Sequence, residues 1–222
     1  MAARKAKTSG KSAKRRGKAP QKTSYHHGDL RNALMKAGKE LLREVGPAGF
    51  SLRDVARRAD VSHMAPYRHF ENRSALLAAL AVEGFLELRD EMHAAAAEFP
   101  EEPRRQLASS GVRYVKLALR EPERLKLMFG GVLTPEDYTE EQRQMTRESF
   151  GGLIHIIQNG QAAGAFRDDD PMTLSLAAWS LVHGLAMLLG TGHLLSFQGP
   201  DFDEEQLLHR INAVFAEGIL KH

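Results

Sequence analysis

From residue 29 onward, apolar side chains recur every three or four positions. Leu30, Ala33, Leu34, Ala37, Leu41 and Val45 share one face, the spacing of an amphipathic helix, and Gly46-Pro47 stops it. A second helix opens at Ser51, an N-cap residue with Asp54 three positions on, the arrangement of a capping box. Its inner face is Leu52, Val55, Ala56 and Ala59. Asp60-Val61 is predicted to turn the chain through left-handed space, which Asp tolerates. Ser62 is predicted to cap a third, short helix reaching Phe70, and Asn72 a fourth of roughly two dozen residues, bounded by Pro100 and Pro103.

The same periods continue to the C-terminus. Pro103, Pro122, Pro135 and Pro171 each stand where a first helical turn would begin, the position where proline costs least. Phe202 and Leu207 flank an acidic helix start as a hydrophobic staple. Residues 172–189 are apolar nearly all round, which predicts burial on all sides. The last helix has a broad apolar face of Leu207, Leu208, Ile211, Val214, Phe215 and Ile219. No strand-like alternation and no repeat occurs, so the expectation is an all-α fold of about nine helices.

Composition adds constraints. With 42% hydrophobic and 27% charged residues, the chain has the profile of a soluble globular protein. It has no cysteine, so disulfides, thiolate metal sites and cysteine nucleophiles are excluded. No apolar run reaches the ~18 residues of a membrane span, and no signal core follows the charged N-terminus, so a cytoplasmic protein is expected. The net charge of +3 conceals an asymmetry: residues 1–24 carry nine Lys or Arg and no acid, whereas residues 76–222 carry thirteen basic and twenty-two acidic residues. A basic end beside one small unit points to a polyanion partner, because neutralising phosphates releases counterions. The expected organisation is a disordered basic arm (1–24), a helix-turn-helix unit (25–71) and a larger helical domain (72–222).

Residues 51–70 carry the functional signal. Two short helices joined by a tight turn need a small residue where they cross, which Ala56 supplies, and Val61 plugs the turn from inside. The second helix would expose His63, Met64, Ala65, Arg68 and His69 and bury Phe70. A short, basic, mixed-polar helix of this kind suits a DNA major groove. Pro66 removes one backbone donor and disfavours helical geometry at Ala65, so an irregular first turn is expected.

These residues resemble the N-terminal domain of TetR-family regulators. The likeness runs from about Tyr25 to Leu80, through Gly46, Phe50-Ser51, Val55-Ala56, Val61-Ser62, Tyr67, Phe70 and Leu76-Leu77. Trp179, His183 and Gly184 are similar to the Trp-His-Gly signature of one subgroup's C-terminal domain. The resemblance implies that Ser51 and Ser62 are caps bonding phosphate and that Tyr67 contacts phosphate. Arg73, where Lys is usual, would also reach phosphate. His63, Met64 and Ala65 would face the bases, flanked by Arg68 and His69; Arg53 joins the DNA-binding candidates. Phosphate contacts would set register and base-edge contacts sequence.

The resemblance also implies a homodimer on a palindromic operator, formed through a four-helix interface of two helices from each subunit. A small-molecule effector would release the protein, making it a repressor. Trp179 and His183, four apart on one helix face, would line the effector pocket with Tyr114, Met128, Phe129 and His155, or else serve as ordinary core.

Other chemistries find little support. No histidine pair stands at the i, i+4 spacing a zinc site favours, so neither metal nor other cofactor is expected. Gly130-Gly131 and Gly151-Gly152 lack the residues of phosphate-binding loops, and no nucleophile–base set is evident, so no enzyme is expected. The alternative function is a non-specific DNA-compacting protein that uses the basic arm.

Overall fold

A side-chain cap or an initial proline marks the start of every α-helix after the first. The computed structural model describes residues 27–192 and 203–219; the basic arm and Phe202 of the staple lie outside them. Eight α-helices are present among the described residues: α1 (His27–Val45), α2 (Leu52–Arg58), α3 (Arg73–Glu98), α4 (Pro103–Arg120), α5 (Pro122–Phe129), α6 (Glu140–Ala162), α7 (Pro171–Gly190) and α8 (Glu204–Ile219). Two 3-10 turns, Pro66–Arg68 and Pro135–Asp137, complete them. The four prolines expected at helix starts do open α4, α5, the second 3-10 turn and α7. Asn72 caps α3, its Oδ1 accepting from the Ala75 amide at 2.9 Å.

Strands are absent among the described residues, in keeping with the all-α expectation. The expected nine helices become eight because the third is reduced to a 3-10 turn. Val45, expected on the inner face of α1, is 45% exposed, since the core has already curved away at the helix end. Gly46 ends α1 in left-handed backbone, φ 65°, a conformation glycine adopts without penalty.

Three hydrophobic clusters make up the interior. The first joins Leu34 and Leu42 of α1, Val55 of α2 and Phe70 to Leu76 and Leu80 of α3 and Leu127 of α5. That core therefore extends beyond residue 71, where the sequence placed a domain boundary. The second holds Leu88 and Met92 of α3 with Tyr114, Val115, Val182 and Leu208. The third gathers Ile156, Ile157, Phe166 and Leu174. Burying each such side chain contributes roughly 1.5–3 kcal/mol, and α3, α4, α5 and α7 tie the interior together by each serving two clusters.

By length and composition α7 is long and apolar enough to cross a membrane, contrary to the expectation that no stretch is. It packs against α4 and α6 and buries Leu174, Ala178, Val182, Leu185 and Ala186. Nor is it buried on all sides: Met172, Leu176, Met187 and Leu188 are exposed.

Candidate nucleic-acid interface and interior cavity

The turn after α2 follows from three residues. Val61 N–H donates to Ala56 O at 3.0 Å and Asp60 N–H to Arg57 O at 3.2 Å. Asp60 sits at φ 53°, the left-handed residue of a Schellman cap. Ser51 caps the start of α2 by accepting from the Asp54 amide at 3.1 Å.

The segment after this turn is not an α-helix. Ala65 N–H bonds Ser62 O at 2.9 Å and Arg68 N–H bonds Ala65 O at 3.2 Å, the i to i−3 pattern of a 3-10 turn. Pro66 has no N–H to offer Ser62 O, so the α ladder cannot run through this position. Ala65 nevertheless keeps helical dihedrals, φ −62° and ψ −42°. The expected helix from Ser62 is corrected to a turn opening at Pro66, with no side-chain cap bond at its start.

Ser62, His63, Met64, Tyr67 and Arg68 are exposed together on this turn, Met64 at 69% and Tyr67 at 52%. Ala65, expected to face bases, is instead buried, because the tighter turn rotates it inward beside Pro66. His69 is half-buried, and its Nε2 is enclosed without a hydrogen-bond partner.

The arginines divide into two groups. Arg53, Arg57, Arg58 and Arg68 are all exposed, but Arg57 pairs with Asp54 at 2.8 Å and Arg58 with Glu44 at 2.6 Å, which leaves Arg53 and Arg68 without an ion pair among the described residues. Arg73 is corrected from a phosphate ligand to a brace: Nε donates to Phe50 O at 3.0 Å and a terminal nitrogen to Pro47 O. It ties the start of α3 to the α1–α2 connection. Ser51 is likewise committed inside the domain, its hydroxyl donating to the Asp54 carboxylate.

A cavity of about 40 Å³ lies between α3, α4, α6, α7 and α8, walled by Met92, Tyr114, Phe150, Trp179, Asn212 and Phe215 among others. Of the expected pocket residues, Tyr114 and Trp179 line it. His183 stands behind, its Nδ1 2.7 Å from Tyr114 Oη. Burial raises the Tyr114 pKa to about 12 and lowers that of His183, so burial favours the neutral form of both groups. Phe129 lies 5.3 Å from both Trp179 and His183. Met128 and Phe129 line a separate, smaller cavity of about 10 Å³ beside Glu121 and Arg124. His155 is corrected outright: it is exposed on α6, with Nε2 3.0 Å from Asn159 Nδ2.

Residues 34–80 match the family of bacterial regulatory proteins described as tetR. Residues 107–215 match the tetracyclin repressor-like C-terminal domain. The chain belongs to the TetR family. Residues 34–80 carry that family's DNA-binding helix-turn-helix domain.

Among TetR-family relatives, the tetracycline repressor protein class A of Escherichia coli is 46% identical over 50 residues. That stretch is 22% of this chain and 23% of the relative's length, so the curated relative is matched over about a quarter of its length. A Rhodococcus protein of unknown function is 32% identical with a TM-score of 0.79, over 90% of this chain and 100% of that one. A Rhodococcus regulatory protein of the tetR family, 21% identical over 87% of this chain and 98% of that one, shares the fold with a TM-score of 0.66. The C-terminal match is to the tetracyclin repressor-like domain and does not extend to the Trp-His-Gly subgroup expected from Trp179, His183 and Gly184.

The N-terminal TetR match encloses the exposed turn, and the C-terminal match encloses most of the cavity wall. Sequence reasoning missed Phe150 and Asn212. Asn212 did leave a signal, one amide set between Leu208, Ile211 and Phe215 on the apolar face of α8.

Proposed function

We propose that this chain is a homodimeric, cytoplasmic repressor that holds a palindromic operator through its two recognition turns and is released by a small-molecule effector. The joint exposure of Met64 and Tyr67 on the turn after α2 carries this reading. Nothing in the chain's own fold accounts for a large thioether and a phenol facing solvent side by side. DNA accounts for both: Tyr67 donates to phosphate, while His63 and Met64 meet base edges with Arg68 alongside. Ser62 and Arg53 flank the same surface and serve backbone contacts. The exposed apolar residues Leu176, Met187 and Leu188 of α7 and Val214 of α8 suit a two-fold interface, in which each face meets its own copy. The cavity in the helical domain supplies the effector site, with Tyr114 and Trp179 in its wall.

The test is footprinting and fluorescence anisotropy on DNA from upstream of the protein's own gene. The expected result is a two-fold symmetric protected site and loss of specific binding in Tyr67→Ala with the fold intact by circular dichroism. Specific binding unchanged in Tyr67→Ala, or protection without symmetry, overturns the proposal.

A further inference from the structure

The side chain of Asn212, on α8, reaches the cavity wall and is 8% exposed. Its Nδ2 is enclosed and has no hydrogen-bond partner in the protein. A buried donor left unmade is destabilising, so its placement needs an explanation. The amide lies over Gly111 of α4: a Cβ there would stand 2.7 Å from Oδ1 and 3.0 Å from Nδ2. Only glycine leaves room for this amide.

The serine hydroxyls in the wall already spend their protons inside the protein. Ser110 Oγ donates to Leu107 O at 2.7 Å, Ser149 Oγ to Thr146 O at 2.7 Å, and Tyr114 Oη meets His183 at 2.7 Å. No Lys, Arg, His, Asp or Glu lines the cavity among the described residues. A cation or a carboxylate would find no counter-ion, at a large desolvation cost. The cavity's about 40 Å³ gives room for roughly three waters, which corresponds to a liquid volume of about 90 Å³. On that scale it is roughly the size of a two-carbon molecule or of one end of a longer one.

We propose that this cavity takes a neutral, mostly apolar ligand that presents one hydrogen-bond acceptor, an ether or carbonyl oxygen, to Asn212 Nδ2. The proposal rests on the effector reading above and narrows it to a chemical class. It excludes carboxylates and amines as occupants of this site.

Trp179 is the chain's single tryptophan and lines the cavity, so its fluorescence reports occupancy directly. Diethyl ether, n-pentane and diethylammonium are near-isosteres, and pentanoate adds the anion. Titrated into the full chain near neutral pH, diethyl ether should bind about threefold to tenfold more tightly than n-pentane, the size of one net hydrogen bond. Both ions should bind at least about tenfold more weakly than the ether. Asn212→Leu should abolish the preference for ether over pentane and raise the melting temperature, since an unmade buried donor is removed. Gly111→Ala, which displaces the amide, should abolish the same preference if Asn212→Leu does not fold. The proposal is overturned by either ion binding as tightly as the ether, by a preference that survives both variants, or by no probe altering Trp179 fluorescence. Operator release is followed in the same samples. Ether binding without release sinks the effector reading and leaves the ligand class standing; release by some other compound with no probe bound does the reverse.

Discussion

Arg43 and Glu121 join α1 to the α4–α5 corner through a two-pronged ion pair. Arg43 Nε donates to Oε2 at 2.9 Å, and a terminal guanidinium nitrogen reaches Oε1. Glu121 is buried while Arg43 remains half-exposed. Hydrogen bonding from Arg43 first, then the charges of Arg124 and Arg120, hold the Glu121 carboxyl below its ordinary 4.5 despite burial. The pair therefore links the DNA-binding end to the cavity end at a point where few other polar contacts cross.

Glu121→Gln should lower stability at neutral pH by about 1–2 kcal/mol, the lower part of the range for charged hydrogen bonds because solvent screens Arg43. The folded pKa is depressed, so this contribution is complete above pH 4.5 and is lost as pH falls through the lower folded value. Urea unfolding at neutral pH and near pH 3 measures it: the gap between wild type and variant should narrow in acid. A gap that is the same at both pH values contradicts this account.

Arg53 and Arg73 should behave oppositely, although both were expected to touch DNA. Arg53→Gln should reduce the slope of log binding constant against log salt by about 0.9, the loss of one neutralised phosphate, with the melting temperature unchanged. Arg73→Met should leave that slope alone and lower stability by about 1–3 kcal/mol, because the Pro47 and Phe50 carbonyls lose their donor. Salt titrations and melts on the two variants distinguish a phosphate ligand from a brace.

Asp60 holds the αL position that closes α2. Asp60→Gly should raise stability by about 0.5–1 kcal/mol through relief of the Cβ clash, and Asp60→Val should lower it by roughly 1–2 kcal/mol. Thermal unfolding of both variants measures the pair; equal melting temperatures would mean the turn does not depend on this dihedral.

What the sequence disclosed was local. Pro103, Pro122 and Pro171 marked helix starts because a missing N–H is harmless only there, and Asn72 and Asp60 were readable from their own side chains. Pro66 warned of irregularity, but its effect on Ala65 depended on how tightly the turn wound, which spacing does not carry. Arg73 was misjudged because its acceptors, Pro47 and Phe50, lie far off in sequence. His155 and Asn212 show the same limit at the cavity: both are polar residues on helices with apolar faces, yet only Asn212 faces inward. Which polar residue enters a shared interior is decided by helix rotation against partners, a property of the assembled bundle.

α3 begins at Arg73 beneath the DNA-facing turn and carries Leu88 and Met92 to the cavity wall. A 26-residue helix is a rod about 39 Å long. Its near end is clamped by Arg73 and its far half forms part of the wall of a space too small for a bulky guest. A tilt of only about 5° about the cavity end sweeps the other end through about 3 Å, given that length. The length of this single helix therefore gives leverage: a slight rotation where it passes the cavity is a shift of about 3 Å beside the exposed turn.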